Sequence, residues 1–149
     1  MSERPRSLLV AVACLVAVVL DLAVYALGRA AGGDFRFTTA AGPAEVDAVT
    51  VAGFSAVPLL AGLTAVAVLA PLGAWVVRAA LVIGPSLAVG TIALMTLPAD
   101  FDAVSTMTLA VCHLMLVPVM ITALVAIGRQ ARRREDHDAS AGDLAAATP

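Results

Sequence analysis

Four long runs of apolar residues, separated by short polar segments, dominate the pattern of this chain. A helix needs about 20 apolar residues to cross roughly 30 Å of hydrocarbon, and each run is long enough. The predicted spans are residues 7–28, 48–70, 76–97 and 104–128. Backbone groups in lipid must pair within their own segment, so the runs are predicted to be helices. The expected fold class is an all-α membrane protein with four transmembrane helices in an up-down bundle.

Composition supports a membrane protein and excludes one class of partner. The 149 residues are 61% hydrophobic and 13% charged, whereas a soluble domain is about 45–50% apolar and about 25% charged. The net charge is −2 and no basic face exists, which excludes a nucleic-acid partner. Lysine and asparagine are absent from the sequence while alanine, valine and arginine are abundant, which is typical of a GC-rich bacterial genome.

The arginines predict the orientation of the spans, because basic residues concentrate in cytoplasmic loops. Arg78 lies in the turn between spans two and three, whereas Arg29 and Arg36 lie on the opposite side. The remaining arginines share the side of Arg78, and they are Arg4, Arg6, Arg129, Arg132, Arg133 and Arg134. Both termini are therefore expected in the cytoplasm, with the protein a multi-pass component of the plasma (cytoplasmic) membrane.

The two ends of the chain carry further expectations. Span one is expected to remain as a helix, because its apolar run is too long for a signal peptide and Asp21 and Tyr25 interrupt the place of cleavage. Residues 129–149 turn polar and are predicted to form a disordered cytoplasmic tail. Its basic residues are expected to anchor on anionic lipid headgroups, at about 1 kcal/mol per arginine. They are Arg129, Arg132, Arg133 and Arg134.

The segment 29–47 is the one sizeable loop on the side opposite the termini. Phe35 and Phe37 flank an arginine there, and either they lie at the lipid headgroups or they cap the bundle. Asp47 and Asp102 each precede an apolar run, which is a good start for a helix. The sequence therefore predicts that the two aspartates cap spans two and four.

Small residues predict where the helices pack most closely, because lipid supplies no hydrophobic drive between them. One stripe on span two comprises Ser55, Pro58, Gly62 and Ala65. One stripe on span three comprises Ala80, Gly84, Ala88 and Thr91. Both stripes are predicted to contact neighbouring helices.

Asp21 is the most informative polar residue, because it lies inside the apolar run of span one. A carboxylate in hydrocarbon costs about 2.5–3.5 kcal/mol on insertion scales, so it needs a partner inside the bundle. Asp21 lies about 12 Å below Arg29, and His113 lies about 16 Å below Asp102, at 1.5 Å per residue. The depths are similar, and spans one and four of such bundles are commonly adjacent. Asp21 is therefore predicted to face His113.

Two interpretations of this pair remain open, with Tyr25 or Thr106 completing the network in either. Pairing favours the charged couple, whereas burial favours a neutral carboxylic acid and a neutral imidazole, and the sequence leaves both states open. As an interhelical clamp it would contribute roughly 0.6–2 kcal/mol. As a functional site it would relay protons or coordinate a substrate.

Enzymatic sites are not indicated. Cys14 lies about 12 Å and Cys112 about 25 Å from the cytoplasmic edge, too far apart in depth for a disulfide. The run 135–138 is acidic with one histidine and is interpreted as a solvated charge run. The sequence has no catalytic serine motif, phosphate loop or metal cluster, so it predicts no enzyme, cofactor or metal site.

The chain resembles a family of small actinobacterial four-helix membrane proteins with a domain of unknown function. The resembling segments are DLAVYALGR at 21–29, VAGFSAVPLLAG at 51–62 and CHLM at 112–115, within residues 7–128. The family is similar in having a polar residue in span one and a histidine in span four. Its polar residue is more often an amide, so Asp21 is a departure that favours the clamp over a proton relay.

Two alternative functions therefore remain open. The first is a non-enzymatic structural or accessory membrane protein, in a homo-oligomer or with a membrane-protein partner. The second is a small proton- or solute-coupled transporter or channel component that uses Asp21 and His113. A polar void reaching Asp21 would favour the second.

Overall fold

A computed structural model describes residues 6–146 of the chain, so Arg4 and the end of the tail lie outside the described residues. The long helices are α1 (Arg6–Ala30), α2 (Ala48–Leu69), α3 (Ala74–Thr91) and α4 (Ala103–Ala146). A 3₁₀ turn at Ala70–Leu72 follows α2, and a π-helical turn at Ile92–Thr96 ends α3. A hairpin of β1 (Arg36–Thr39) and β2 (Gly42–Glu45) joins α1 to α2.

Within residues 6–146, four helical segments are long and apolar enough to cross a membrane, as predicted. They are Arg6–Ala30, Ala48–Leu72, Ala74–Thr96 and Ala103–Arg134. Each begins and ends within a few residues of its predicted bounds, apart from the last, because the length of an apolar run sets the length of a spanning helix.

The helices pack mainly around α1 and α4. α1 contacts both α2 and α4, and α3 rests chiefly on α4, so the predicted adjacency of spans one and four is confirmed. In the half of the bundle away from the hairpin, α1, α2 and α4 form one apolar core: Val10, Ala13, Ala17, Leu59, Leu63, Ala123, Leu124 and Ile127. Only 6% of the apolar window of α3 is buried, so most of this helix faces away from the others.

The small-residue stripe predicted on α2 is wrong beyond its first member. The buried face of α2 instead repeats every four residues, with Val51, Ser55, Leu59 and Leu63. Gly62 is exposed, and a Cβ built there would meet nothing within 4 Å. Large side chains make this contact, so glycine is not needed there. On α3 the stripe does include a close contact, because a Cβ on Gly84 would lie 2.6 Å from the sulfur of Met120 in α4.

The predicted loop 29–47 contains an antiparallel hairpin. Arg36 pairs with Glu45 at its open end, and Thr39 pairs with Gly42 at the turn. Gly42 has φ 119°, a conformation that glycine adopts without steric cost. The strands were not predictable from periodicity, since each has four residues and neither alternates cleanly between apolar and polar side chains.

The tail predicted to be disordered after Gly128 continues α4 through Ala146 instead. Alanine, arginine, glutamate and glutamine are good helix formers, and no proline interrupts residues 129–146. Gly128 does not break the helix, and a Cβ there would stand 3.2 Å from Cγ1 of Val77 in α3. The helix therefore extends well past its apolar span, which ends at Arg134.

Candidate functional site

Asp21 lies at the centre of the interface between α1, α2 and α4. Its side chain is 1% exposed. The hydroxyl of Ser55 on α2 donates a hydrogen bond to Oδ2 of Asp21. The same hydroxyl lies 2.9 Å from the carbonyl oxygen of Val51. One hydroxyl hydrogen therefore serves two acceptors, and Ser55 satisfies the carboxyl group only in part.

The second carboxyl oxygen, Oδ1 of Asp21, is buried and has no hydrogen-bond partner among residues 6–146. The backbone of Asp21 is held from the other side, because Sγ of Cys112 on α4 donates to its carbonyl oxygen at 3.7 Å. α1 is thus tied to α2 through a side chain and to α4 through its backbone. Oδ1 can therefore accept a hydrogen bond from a further donor. Leaving this oxygen unpaired in an apolar interior is costly.

The structure corrects the predicted partner of Asp21, which is Ser55 rather than His113. Nδ1 of His113 lies 2.7 Å from the carbonyl oxygen of Leu109, one turn earlier in the same helix. The face of α4 toward α1 carries Cys112, and the next residue points about 100° around the helix. His113 is therefore at the predicted depth but turned away from a direct bond with Asp21.

The two residues expected to complete the network lie elsewhere. The hydroxyl of Tyr25 donates to the carbonyl oxygen of Val46 at 3.1 Å, which joins α1 to the end of the hairpin. Its ring packs on Phe35. Thr106 is half-buried near the start of α4, about 10 Å along the helix from His113, and it is not among the residues around Asp21 that line the cavity below.

Ser55 could have been found from its depth. It follows Asp47 by eight residues, and Asp21 precedes Arg29 by the same number. Both side chains therefore lie about 12 Å below the hairpin end of their helices. The sequence predicts this serine only as a small packing residue, because its side chain is small and not ionisable.

A cavity of about 240 Å³ extends from Asp21 toward the hairpin. Asp21, Ser55, Cys112 and His113 line its deep part, so Asp21 and His113 share one cavity although they do not bond directly. Thr96, in the π-helical turn that ends α3, also lines the cavity and is 4% exposed. The remaining lining residues are Phe37, Glu45, Val46, Thr50, Val51, Phe54, Met95, Ala99, Phe101, Leu109 and Leu116.

Phe35 closes the hairpin end of the bundle, and the interpretation that it lies at the headgroups is wrong. Its side chain is fully buried, with its ring centroid 4.6 Å from that of Tyr25. Its backbone has φ 55°, a region that a bulky residue rarely occupies. The backbone N–H of Phe35 donates to Oγ of Ser105 at 2.9 Å, and its carbonyl accepts from the N–H of Val46 at 2.9 Å. These contacts hold the unfavourable backbone conformation.

Two aspartates between α3 and α4 fasten the hairpin to the bundle. Asp100 accepts hydrogen bonds from the N–H and the hydroxyl of Thr38, both at 2.7 Å. Asp102 accepts from the hydroxyl of Ser105 and, at 3.2 Å, from the N–H of Asp34. The bonds from Thr38 lower the pKa of Asp100, and those from Ser105 hold the pKa of Asp102 well below its usual range. Both carboxylates are therefore charged acceptors at neutral pH.

The predicted helix caps are confirmed. Asp47 is the N-cap of α2, and its Oδ1 accepts from the N–H of Thr50 at 2.7 Å. Hydrogen bonds from Thr50 lower the pKa of Asp47. Asp102 does the same for α4, where its Oδ1 accepts from the N–H groups of Val104 and Ser105. Each aspartate satisfies N–H groups that a helix start leaves unpaired.

A second, basic cavity lies at the opposite end of the bundle, between α3 and α4. Its volume is about 270 Å³. Arg78, Arg129 and Arg132 line it, together with apolar side chains such as Val77 and Leu81. Of the predicted basic anchor, Arg129 and Arg132 thus line this cavity, which Arg78 joins from α3. Arg133 and Arg134 follow directly in α4 and are exposed.

Comparison with known proteins places the chain in a family. Residues 1–132 match DUF6069, a family of unknown function. The chain belongs to this family. The predicted resemblance to a family of unknown function is therefore confirmed, and the matched residues include the whole of both cavities. No curated protein and no solved structure matches the chain.

Proposed function

We propose that this member of DUF6069 is a multi-pass protein of the bacterial cytoplasmic membrane, with its helices in an up-down bundle and both termini in the cytoplasm. Contacts between helix ends support this arrangement. Nη1 of Arg6 at the start of α1 donates to the carbonyl oxygen of Ala67 near the end of α2, at 2.9 Å. The arginines of the basic cavity lie at that same end, and the acidic hairpin contacts lie at the other. The positive-inside rule then orients the bundle.

Cysteine labelling in intact cells tests this orientation. In a chain with Cys14 and Cys112 replaced by alanine, we expect Ala41→Cys at the hairpin turn to react with a membrane-impermeant maleimide. Ser140→Cys in the C-terminal part of α4 should react only after the membrane is permeabilised. The reverse labelling pattern would overturn the proposed orientation, and labelling of both positions in intact cells would refute a single orientation.

The role that the geometry supports best is structural or accessory, without enzymatic activity. The observation that supports this role is that polar side chains near Asp21 and near the hairpin form hydrogen bonds between different segments of the chain. Ser55 joins α2 to α1, and Cys112 joins α4 to α1. Asp100 and Asp102 join the hairpin to the start of α4. A compact bundle held in this way presents defined surfaces to lipid and to other membrane proteins.

A double-mutant cycle tests the structural role of Asp21 and Ser55. We expect Ser55→Ala to lower the free energy of unfolding by about 1–3 kcal/mol, because it leaves a buried carboxyl group without its donor. The double variant with Asp21→Leu should be less affected than the sum of the two single variants, with a coupling of about 0.6–1.7 kcal/mol. Unfolding is followed by titration with a denaturing detergent.

Two variants make the cycle specific. Ser86→Ala, at an exposed serine of α3, is the matched control and should change stability little. His113→Phe combined with Asp21→Leu should give a smaller coupling than Ser55→Ala does. If Ser55→Ala and Asp21→Leu each left the stability unchanged or raised it, Asp21 would be retained at a cost to the fold and the structural proposal would fail.

Two kinds of partner follow from the surfaces. Arg78, Arg129 and Arg132 around the basic cavity match the phosphate of an anionic lipid headgroup, and the apolar walls match its acyl chains. α3 is the span with the largest share of its surface free of the other helices. Its outer face would pack against lipid, against a second copy in a homo-oligomer, or against a membrane-protein partner.

A second candidate function is a small proton- or solute-coupled transporter or channel component. The cavity favours it, because Asp21 and His113 line one space that extends toward the hairpin. Intramembrane ionisable residues that line a cavity commonly mark pathways for protons or substrates. Proton or solute flux into liposomes that contain the wild type, but not into liposomes that contain Asp21→Asn, would support this function. Equal flux from both proteins would exclude a pathway through Asp21.

A further inference from the structure

At the deep end of the cavity, the carboxyl group of Asp21 receives fewer hydrogen bonds than it can accept. Asp21 lines the cavity and is 99% removed from solvent, since its side chain is 1% exposed. Its Oδ1 has no partner in the described part of the chain, and its Oδ2 shares the single hydrogen of Ser55 with the carbonyl of Val51. A ligand with an N–H group would supply the missing donor.

The charges around the cavity have one sign. The formal charges on its lining are those of Asp21, deep in the cavity, and Glu45, toward the hairpin. The lining includes no arginine, and His113 is its one basic side chain. Of these two carboxyl groups, Glu45 is paired with Arg29 at 3.1 Å, whereas Asp21 forms no ion pair within the described part of the chain. A cation at the deep end would be attracted by the carboxylate of Asp21, with His113 as the one basic side chain on the lining.

The remaining walls suit the apolar part of a ligand. Three phenylalanines line the cavity, namely Phe37, Phe54 and Phe101. Aromatic faces attract an ammonium group and also bury apolar rings. A dry cavity of about 150 Å³ accepts one benzene molecule, so about 240 Å³ has room for one ring with a short polar arm.

We propose that this cavity is a binding site for a small organic monocation, an amine with one ring or a short alkyl group, whose ammonium contacts Asp21. The inference gives the solute class of the second proposed function and rests on it only for transport. Binding itself is a separate property. Asp21 acts as the counter-ion, Ser55 orients its carboxyl group, and the phenylalanines enclose the apolar part.

Benzylamine and benzyl alcohol are a matched pair of probes, because they differ mainly in the charge of one group at neutral pH. Calorimetric titration of the full chain in detergent micelles, corrected with empty micelles, compares them. We expect benzylamine to bind at least about tenfold more tightly than the alcohol, as a charge-assisted hydrogen bond implies. Equal affinities, or binding of neither probe, would overturn the proposal.

Variants distinguish binding in the cavity from partitioning of the probe into the micelle and from loss of the fold. Asp21→Asn should abolish the preference for the cation, whereas Asp34→Asn, an exposed aspartate outside the cavity lining, should keep it. If Asp21→Asn does not fold, Ala99→Trp provides the second test, because the indole would fill the cavity and should remove binding of benzylamine. A cation preference that survives in folded Asp21→Asn or in Ala99→Trp would refute the site.

The outcome for binding is independent of the outcome for transport. If the protein prefers benzylamine but transports no protons or solute in liposomes, the cation site is supported and the transport proposal fails. If the protein transports protons or solute without preferring benzylamine, the transport proposal is supported and the cation site is refuted.

Discussion

Replacing Phe35 by alanine is expected to lower the free energy of unfolding by about 3–5 kcal/mol, the range found when a buried aromatic ring is removed from a well-packed core. The ring is fully buried against Tyr25, and the guanidinium of Arg29 lies 5.9 Å from its centroid. Alanine keeps a side chain at φ 55°, so the substitution removes the ring while the backbone stays unfavourable. Unfolding in a denaturing detergent measures the loss.

Phe54→Ala is the matched control for Phe35→Ala. Phe54 is 68% exposed on α2, so losing its ring should cost far less than losing that of Phe35. Comparable losses for the two variants would show that Phe35 does not close the bundle as described. The loss at Phe35 should also increase the rate at which protease cleaves the hairpin 36–45, because the ring holds that segment on the helices.

Replacing Gly28 by alanine is expected to destabilise the protein by about 1–3 kcal/mol, the usual cost of forcing atoms into a packed interior. A Cβ on Gly28 would collide with the side chain of Thr108 in α4, coming 2.6 Å from its Cγ2. It would also stand 2.9 Å from Cζ of Phe35. α1 and α4 would have to separate at the point where the hairpin is docked.

Gly62→Ala and Thr108→Ala complete this test. Gly62 lies within α2 with nothing near the place of a Cβ, and alanine favours helix, so this control should be neutral or slightly stabilising. Adding Thr108→Ala to Gly28→Ala should recover part of the loss, because it removes the colliding atoms. A Gly28→Ala variant as stable as the wild type would mean that α1 and α4 do not approach so closely.

Apolar length and helix-start chemistry were the reliable signals in the sequence. The four helices long and apolar enough to span a membrane, and the caps at Asp47 and Asp102, were predicted correctly, because each depends on residues adjacent along the chain. The adjacency of α1 and α4 was also predicted correctly, from bundle geometry. Contacts that depend on the rotation of a helix were predicted poorly. Small residues marked the right face at Gly84 but the wrong one at Gly62.

The candidate site shows the same division. That Asp21 must have a polar neighbour followed from its place in an apolar run, since a lone carboxyl group in lipid is costly. Which neighbour it has did not follow. Depth alone admits both Ser55 and His113, and the choice depends on how α2 and α4 are turned toward α1. The docking of the hairpin and the burial of Phe35 were hidden for a related reason, because the hydrogen bonds that hold them join residues 62 and 70 positions apart.

The sequence by itself determined that this chain has four helices able to span a membrane, that Asp47 and Asp102 begin two of them, and that Asp21 is the polar residue to explain. Apolar length and local hydrogen bonding decide those features within each segment. Only the tertiary structure decided that Ser55 holds Asp21, that Phe35 closes the bundle, and that Asp21 and His113 line one cavity. Those features arise where separate helices meet, and the rotation of each helix is set by packing over the whole interface.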